Sequence, residues 1–482
     1  MLSGGDSDVL GISLDSRLVE QGDLYVALPG ARAHGATFAD RAVAAGATAV
    51  LTDAEGSTLL PADLGVPVAV ADDVRGAMAR VAERLFEAPA TQLQMFAVTG
   101  TNGKTTTIYL LAAALRGLGL HVGTIGTLGF QLDGQMLPVA RTTVTTPESV
   151  DLHALLARMR DGGADAVAME VSSHAMALRR TEPVRFDVSG FTNLSPEHLD
   201  FHADMDDYFE AKALLFEPDR TRAAVVFVDD PAGARLAQRL RNTDVRLRTL
   251  AWEAEADYRI SDVAGTRIRV RTPAGPLEFD LGLPGDFNVS NAVLALAMIE
   301  LAGLDVQRAA AALGDVTVPG RMQPVELPAG APAVFVDFAH TPEAVRSALG
   351  TFARDRAQGR RVIAVLGCGG DRDRVKRAPM GRVAVENADL LVVTDDNPRG
   401  EDPAAIRASI VAGAKSVEAA ADRVVDGGER RSAIGFALRT ARADDVVVVL
   451  GKGHEQGQEI AGRIHPFDDS TVVGEEWRKV GQ

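Results

Sequence analysis

The run Gly100-Thr101-Asn102-Gly103-Lys104-Thr105-Thr106 holds the residue types that handle phosphate. Glycines let a backbone curl until its N–H groups face an anion. A lysine adds charge for the outer phosphates, and a threonine hydroxyl can serve Mg²⁺. The usual phosphate loop has its first Gly earlier, where Val98 stands here, and only Thr101 and Asn102 separate these two glycines. Alone, the run also reads as a tight strand-to-helix turn with an exposed lysine. Glu170 closes the apolar stretch of MEVSSHA, NLSPEHLDFH supplies His198, Asp200 and His202, and YFEAKALLF supplies Lys212. A carboxylate and an imidazole near the ends of parallel strands make a divalent-metal site. His174 and His202 read as hydrogen-bonded structural residues. Cys368, just past an apolar strand, reads as structural too, since a nucleophilic thiol needs a base and an activating charge.

The elements that must position these groups alternate. GDLYVALPG is a strand closed by Pro29-Gly30, ADRAVAAGATAVLTD a helix, a turn at Gly46 and a strand, and DDVRGAMARVAERLFEAP an amphipathic helix ended by Pro89. QMFAVTG is a buried strand and KTTTIYLLAAALRGLG a helix, the setting a phosphate loop needs. Strands at DAVAMEVSS, RFDVSGFTN and AAVVFVDD follow, with helices between them. DFNVSNAVLALAMIELAGL is a helix. VPGRMQPVELPAGAP has no period and reads as a linker. The alternation restarts at AVFVDFAH, and RRVIAVLGCGG, ADLLVVTDDNP and DDVVVVLGKGHE each run from an apolar strand into polar residues at the edge where α/β sheets bind ligands. The expectation is three α/β domains: 1–89, a central mostly parallel sheet of phosphate-loop type at 90–322, and a Rossmann-like domain at 323–482.

Bulk properties agree with this and exclude other classes. The 482 residues are too many for one ordinary core. Hydrophobic content of 46% and charged content of 24% fit a soluble globular chain. A net charge of −16 argues against nucleic acid or an anionic membrane as partner. The single cysteine excludes an internal disulfide and fits a reducing, cytoplasmic setting. The first residues lack the basic and apolar regions of a signal peptide, and no apolar run of about 18 residues occurs.

Taken in order, GTNGKTT, MEVSSH, NLSPEHLDFH, EAKALLF, FNVSNAVLA, DFAHTPEA and GKGHE resemble the Mur ligases of peptidoglycan synthesis, from Leu14 to about Phe467. The shortened phosphate loop is that superfamily's own version. LDSR, TTPE, MEVSSHAMALRR and GCGGDRDR…DDNPRG resemble the branch that adds the third peptide residue. The resemblance implies an ATP-dependent ligase that joins meso-diaminopimelate to the D-Glu γ-carboxylate of UDP-MurNAc-L-Ala-D-Glu through an acyl phosphate, as a monomer. It implies two Mg²⁺ ions and a CO₂-derived carbamate on Lys212, with Thr105, Glu170, His198 and Lys212 at metal and Lys104 at phosphate. ATP contacts fall on Gly100 to Thr106, Asn288, Asn291, Arg321, Asp337 and His340. The nucleotide-sugar substrate falls on Leu14, Ser16, Thr145, Thr146, Ser172 and Arg180. Diaminopimelate falls on Arg372, Asp396, Asn397, Pro398, Arg399, Gly451 and Glu455, where a guanidinium at Arg399 favours an acceptor with a second carboxylate over L-lysine. LL-diaminopimelate is the further alternative acceptor. Where many relatives have Asp-Gly, this chain has His34-Gly35. Folylpolyglutamate synthetase shares the short loop but lacks the LDSR domain. A P-loop switch would carry the full-length loop, and a dead nucleotide-sugar binder would not need Lys104, Glu170, His198 and Lys212.

Overall fold

Among the described residues, the apolar runs assemble into three sheets, of five, eleven and six strands, plus a two-stranded hairpin. The computed structural model describes the backbone of residues 2–3 and residues 8–30, 33–139 and 145–480. In the N-terminal sheet Gly11–Ser13, Asp23–Ala27, Ala49–Thr52 and Val68–Val70 run parallel, and Leu2–Ser3 closes one edge antiparallel. The helix Val74–Leu85 starts where Asp73 accepts from the N–H of Gly76. Its Val74, Met78 and Ala82 pack on Leu24, Val26 and Leu51.

The middle of the eleven-stranded sheet is parallel, in the order Arg246–Ala251, Ala223–Phe227, Val188–Phe191, Gln94–Thr99, Ala166–Glu170, Val122–Gly126. Gln94–Thr99 has later strands on both sides, so the connections diverge there and open a crevice at its C-terminal end. The helices Lys104–Gly117 and Asp286–Leu301 pack together over this sheet, the second buried from Val289 to Ile299 apart from Ser290. Tyr258–Ala264, Arg267–Thr272 and Gly275–Asp280 depart from the α/β alternation as an antiparallel extension. In Arg267–Thr272, Ile268 and Val270 point inward and arginines outward, so one face is solvated.

In the C-terminal sheet five strands are parallel, in the order Ala333–Asp337, Val446–Leu450, Val362–Leu366, Leu390–Thr394, Val424–Gly428. The segment read as a linker contributes Gln323–Val325 as an antiparallel edge strand. Pro324 conceals it in the sequence and is tolerated because an edge leaves one side of the backbone unpaired. Arg430 and Asp469, both fully buried, pin the final helix: Nε and Nη2 of Arg430 each reach a carboxylate oxygen at 2.7 Å, and Nη2 also donates to the carbonyl of Leu450. Arg430→Met would leave the Asp469 charge buried and alone. The C-terminal unit should lose about 3–5 kcal/mol in denaturant unfolding, and a loss under about 1 kcal/mol would contradict this reading of the pair.

Candidate active site

The strand Gln94–Thr99 delivers the phosphate loop to the crevice. Gly103 caps the following helix with φ of 88°, and a Cβ there would lie 2.5 Å from Asn291 Oδ1. Gly100 has φ of 148°, and a Cβ would meet the Thr192 hydroxyl at 1.9 Å. Both positions therefore require glycine. The loop is braced by the neighbouring strand's end: the N–H of Asn102 donates to Asn193 Oδ1 at 2.9 Å, and the hydroxyl of Thr192 to the carbonyl of Asn102 at 2.6 Å. Lys104 folds over the loop and donates to the carbonyls of Gly100 and Thr101, each at 2.8 Å. Burial lowers its pKa.

Behind the loop, Thr105 donates to Glu170 Oε1 at 2.9 Å, and the N–H and hydroxyl of Thr127 hold the same carboxylate at 2.8 and 3.1 Å. Lys212 approaches from the other side and donates to the carbonyl of Gly100 at 2.9 Å, its Nζ 4.4 Å from the centre of the Tyr208 ring. Burial first, and then the charge of Lys104, push the Lys212 amine well below the ordinary lysine range. His198, with φ of 57°, lies edge-on to His174 with ring centres 4.8 Å apart. Burial pushes it down to about 4 against the pull of Glu197, so its imidazole is neutral at neutral pH. His202 is buried, between Asp207 at 3.1 Å and the Ser173 hydroxyl at 2.9 Å. His174 stacks on Phe201. Among the described residues no three His, Cys, Asp or Glu side chains converge as a metal cage. The oxygens of Thr105 and Glu170 nonetheless suit Mg²⁺, which takes one or two protein oxygens and completes its shell with phosphate oxygens and water.

The loop opens into one cleft of about 1550 Å³, lined from both the central and the C-terminal sheets. Three family models tile this chain: the Mur ligase family catalytic domain at residues 8–88, the Mur ligase middle domain at 98–299 and the Mur ligase glutamate ligase domain at 320–453. The chain belongs to the Mur ligase family. Its members are ATP-dependent enzymes that form amide bonds. This ligase is 47% identical over 480 residues to the UDP-N-acetylmuramoyl-L-alanyl-D-glutamate--2,6-diaminopimelate ligase of Streptomyces avermitilis, covering 98% of this chain and 92% of that one. A solved structure bearing the same enzyme name aligns with TM-score 0.70 at 33% identity over 98% of this chain and 96% of the other. A Mycobacterium tuberculosis folylpolyglutamate synthase aligns with TM-score 0.61 at 21% identity, covering 84% of this chain and 95% of that one, a likeness of fold.

Several of the ligase's remaining candidate residues meet on the same cleft. Arg321 crosses from the C-terminal side, its guanidinium 4.4 Å from the centre of the Phe338 ring and 3.5 Å from the Thr105 hydroxyl. Asn291 lines the cleft; Asn288 does not, being fully buried and donating to the carbonyl of Pro284. Both carboxylate oxygens of Asp337 accept backbone N–H groups, from Met322 at 2.7 Å and Ala339 at 2.8 Å. His340 Nε2 lies 3.3 Å from Glu197, joining the two sheets' loops across the cleft.

Toward the N-terminal unit, Thr145, Thr146, Ser172 and Arg180 line the cleft. Arg180 Nε donates to Glu148 at 2.8 Å, and Glu148 also takes Arg75 from the helix Val74–Leu85. Leu14 and Ser16 lie off this cleft, in the loop after Gly11–Ser13. His34, in the departing stretch, caps a helical turn by accepting from Ala36 N–H and sits 3.1 Å from Asp53.

Arg372, Asp396, Asn397, Arg399, Gly451 and Glu455 form the far wall. Pro398 contributes backbone, its carbonyl packed on Gly370. Arg399 has φ of 52° and is already engaged: Nε with Glu459 at 3.1 Å and Nη1 with the carbonyl of Gly370 at 2.8 Å. The guanidinium expected to favour an acceptor with a second carboxylate is thus partly occupied, which leaves Nη2 for a ligand. Cys368 is buried at this wall, and burial raises its thiol pKa, consistent with an inert role.

Glu197, Glu459 and Lys452 were not singled out in the sequence. Burial works to raise the Glu197 pKa, but the His340 hydrogen bond and the charges of His340, His198 and Lys104 win and hold it below the usual carboxylate range. Its one sequence signal is its place immediately before His198 in SPEH.

Proposed function

We propose that this ligase adds meso-diaminopimelate to the D-Glu γ-carboxylate of UDP-MurNAc-L-Ala-D-Glu, with ATP, in peptidoglycan synthesis and so in cell-wall growth, cell shape and division. Residues 1–89 would hold the nucleotide sugar, 90–322 ATP, and 323–482 the incoming amino acid. We read it as a cytoplasmic monomer; no helix among the described residues is long and apolar enough to cross a membrane. The observation that carries the reading is one cleft with the phosphate loop at its centre, Arg180 at one end and the oppositely charged Arg399 and Glu455 at the other. The 47% identical relative's name fits it.

A carboxylate oxygen leaves too poorly for direct amide formation. The γ-carboxylate attacks the γ-phosphorus of ATP and ADP departs, giving an acyl phosphate. The acceptor amine attacks the carbonyl carbon, a tetrahedral intermediate forms, and phosphate leaves. Two anions meet in the first step, so the chain must supply positive charge in advance. Lys104 and the loop N–H groups face the phosphates, and Arg321 adds its charge as the two sheets close on the nucleotide. Mg²⁺, when bound beside Thr105 and Glu170, would neutralise phosphate charge as a Lewis acid. Burial and Lys104 push the Lys212 pKa down, which favours the uncharged amine that reacts with CO₂ to give a carbamate and a proton, and a carbamate is an oxygen donor where an ammonium would repel a cation.

Arg399→Ala tests the acceptor assignment. It should raise the KM for meso-diaminopimelate about 10–100-fold, the scale of a lost charge-assisted hydrogen bond, with the KM for ATP unchanged. An unchanged acceptor KM would remove the assignment.

A further inference from the structure

Lys452 follows Gly451 at the end of the strand Val446–Leu450, yet its side chain is fully buried and stands behind the cleft wall. Its ammonium donates to Glu455 Oε2 at 2.9 Å and to Asn397 Oδ1 at 3.2 Å, and it lies 3.7 Å from Asp396 Oδ1. Asn397 Nδ2 donates to that same Glu455 oxygen at 2.8 Å. Asn397 Oδ1 also accepts the N–H of Glu459 at 2.9 Å, and the Glu459 carboxylate holds Arg399. One buried cation is therefore the hub to which the pocket's negative group, Glu455, and its positive group, Arg399, are both tied. Two donors occupy Oε2 of Glu455, so Oε1 is the oxygen left for the cleft.

A buried ammonium is costly unless it is matched. Here it is matched to carboxylates that would otherwise repel each other. Without it, Asp396 and Glu455 would lose the ammonium that lies between them, and the pocket would favour any cation over an amino-acid head group with both signs.

We propose that Lys452 is a positioning and specificity-determining residue: it fixes Glu455 and Asn397 so that Glu455 meets the acceptor's distal ammonium while Arg399 meets its carboxylate. This rests on the acceptor reading above. Lys452 touches no substrate and acts through Glu455.

Four proteins test it: wild type, Lys452→Met, Glu455→Gln and the double variant, with KM and kcat measured for the acceptor, ATP and the UDP-linked dipeptide. Lys452→Met should raise the acceptor KM about 10–100-fold, as lost supporting contacts do, leave the ATP and dipeptide KM values unchanged, and shift preference from meso-diaminopimelate toward L-lysine. Added to Glu455→Gln, it should cost less than about threefold more, because the route through Glu455 is already gone. Parallel rises in all three KM values, or an undiminished effect in the Glu455→Gln background, would overturn the proposal. If Lys452→Met alone does not fold, the double variant, which also lacks the stranded Glu455 charge, decides by the same comparison with Glu455→Gln. If the wild type uses a different amine, the diaminopimelate reading fails, and the same four proteins with that amine still test Lys452.

Discussion

Replacing Lys212 with either methionine or arginine should lower amide formation by about 10³-fold, the scale on which preorganised electrostatic groups act. The two substitutions together are informative. If Lys212 worked as an ammonium, arginine would preserve the charge and much of the activity. Lys212 is buried, its amine donates to the carbonyl of Gly100, and burial with Lys104 nearby pushes its pKa well below the ordinary range, which favours the uncharged form. A neutral amine can add CO₂, and a guanidinium cannot take its place. Initial-rate assays of both variants, with ¹³C NMR of the wild type in labelled bicarbonate, check this. Activity of Lys212→Arg within about tenfold of wild type would rule out the carbamate role.

Lys104→Met should reduce turnover about 10²–10³-fold, since on the proposed mechanism the variant loses the charge that meets the transferring phosphate, while the folded protein becomes no less stable. Lys104 donates to the carbonyls of Gly100 and Thr101, and burial lowers its pKa. A lowered lysine pKa means the unfolded chain binds the proton more readily. The contribution of Lys104 to stability therefore rises with pH, up to the ordinary lysine range, and below that range its charge opposes folding. Lys212 shifts in the same direction and has the same sign. Thermal melting near pH 7 should show an equal or higher Tm for Lys104→Met. A drop in Tm that parallels the loss of turnover would mean that Lys104 holds the loop together and that its effect on rate is indirect.

What could be read in the sequence was local. Gly100 and Gly103 mark the loop because a left-handed backbone and close neighbours exclude a Cβ. Glu170 was visible because it closes an apolar strand, whereas Asp396 and Gly451, just past the strands Leu390–Thr394 and Val446–Leu450, were assigned through the family resemblance. The edge strand Gln323–Val325 was hidden by its proline, and the antiparallel extension after Tyr258 by the expectation of unbroken alternation. Groupings of segments far apart in the chain were legible only through the family resemblance, and their individual contacts were not. Glu197 meets His340 only because two sheets face each other, and the burial of Lys452 between Asn397 and Glu455 depends on two strand ends coming together. For the same reason the motif DNPR identified Arg399 but could not tell that Glu459 already engages it.

The most direct test of the central claim is phosphate release from ATP with UDP-MurNAc-L-Ala-D-Glu present and meso-diaminopimelate, L-lysine or no amino acid added. Release should depend on meso-diaminopimelate and be matched by the UDP-linked tripeptide in the mass spectrum. Equal release with no amino acid, or release with L-lysine alone, would contradict it.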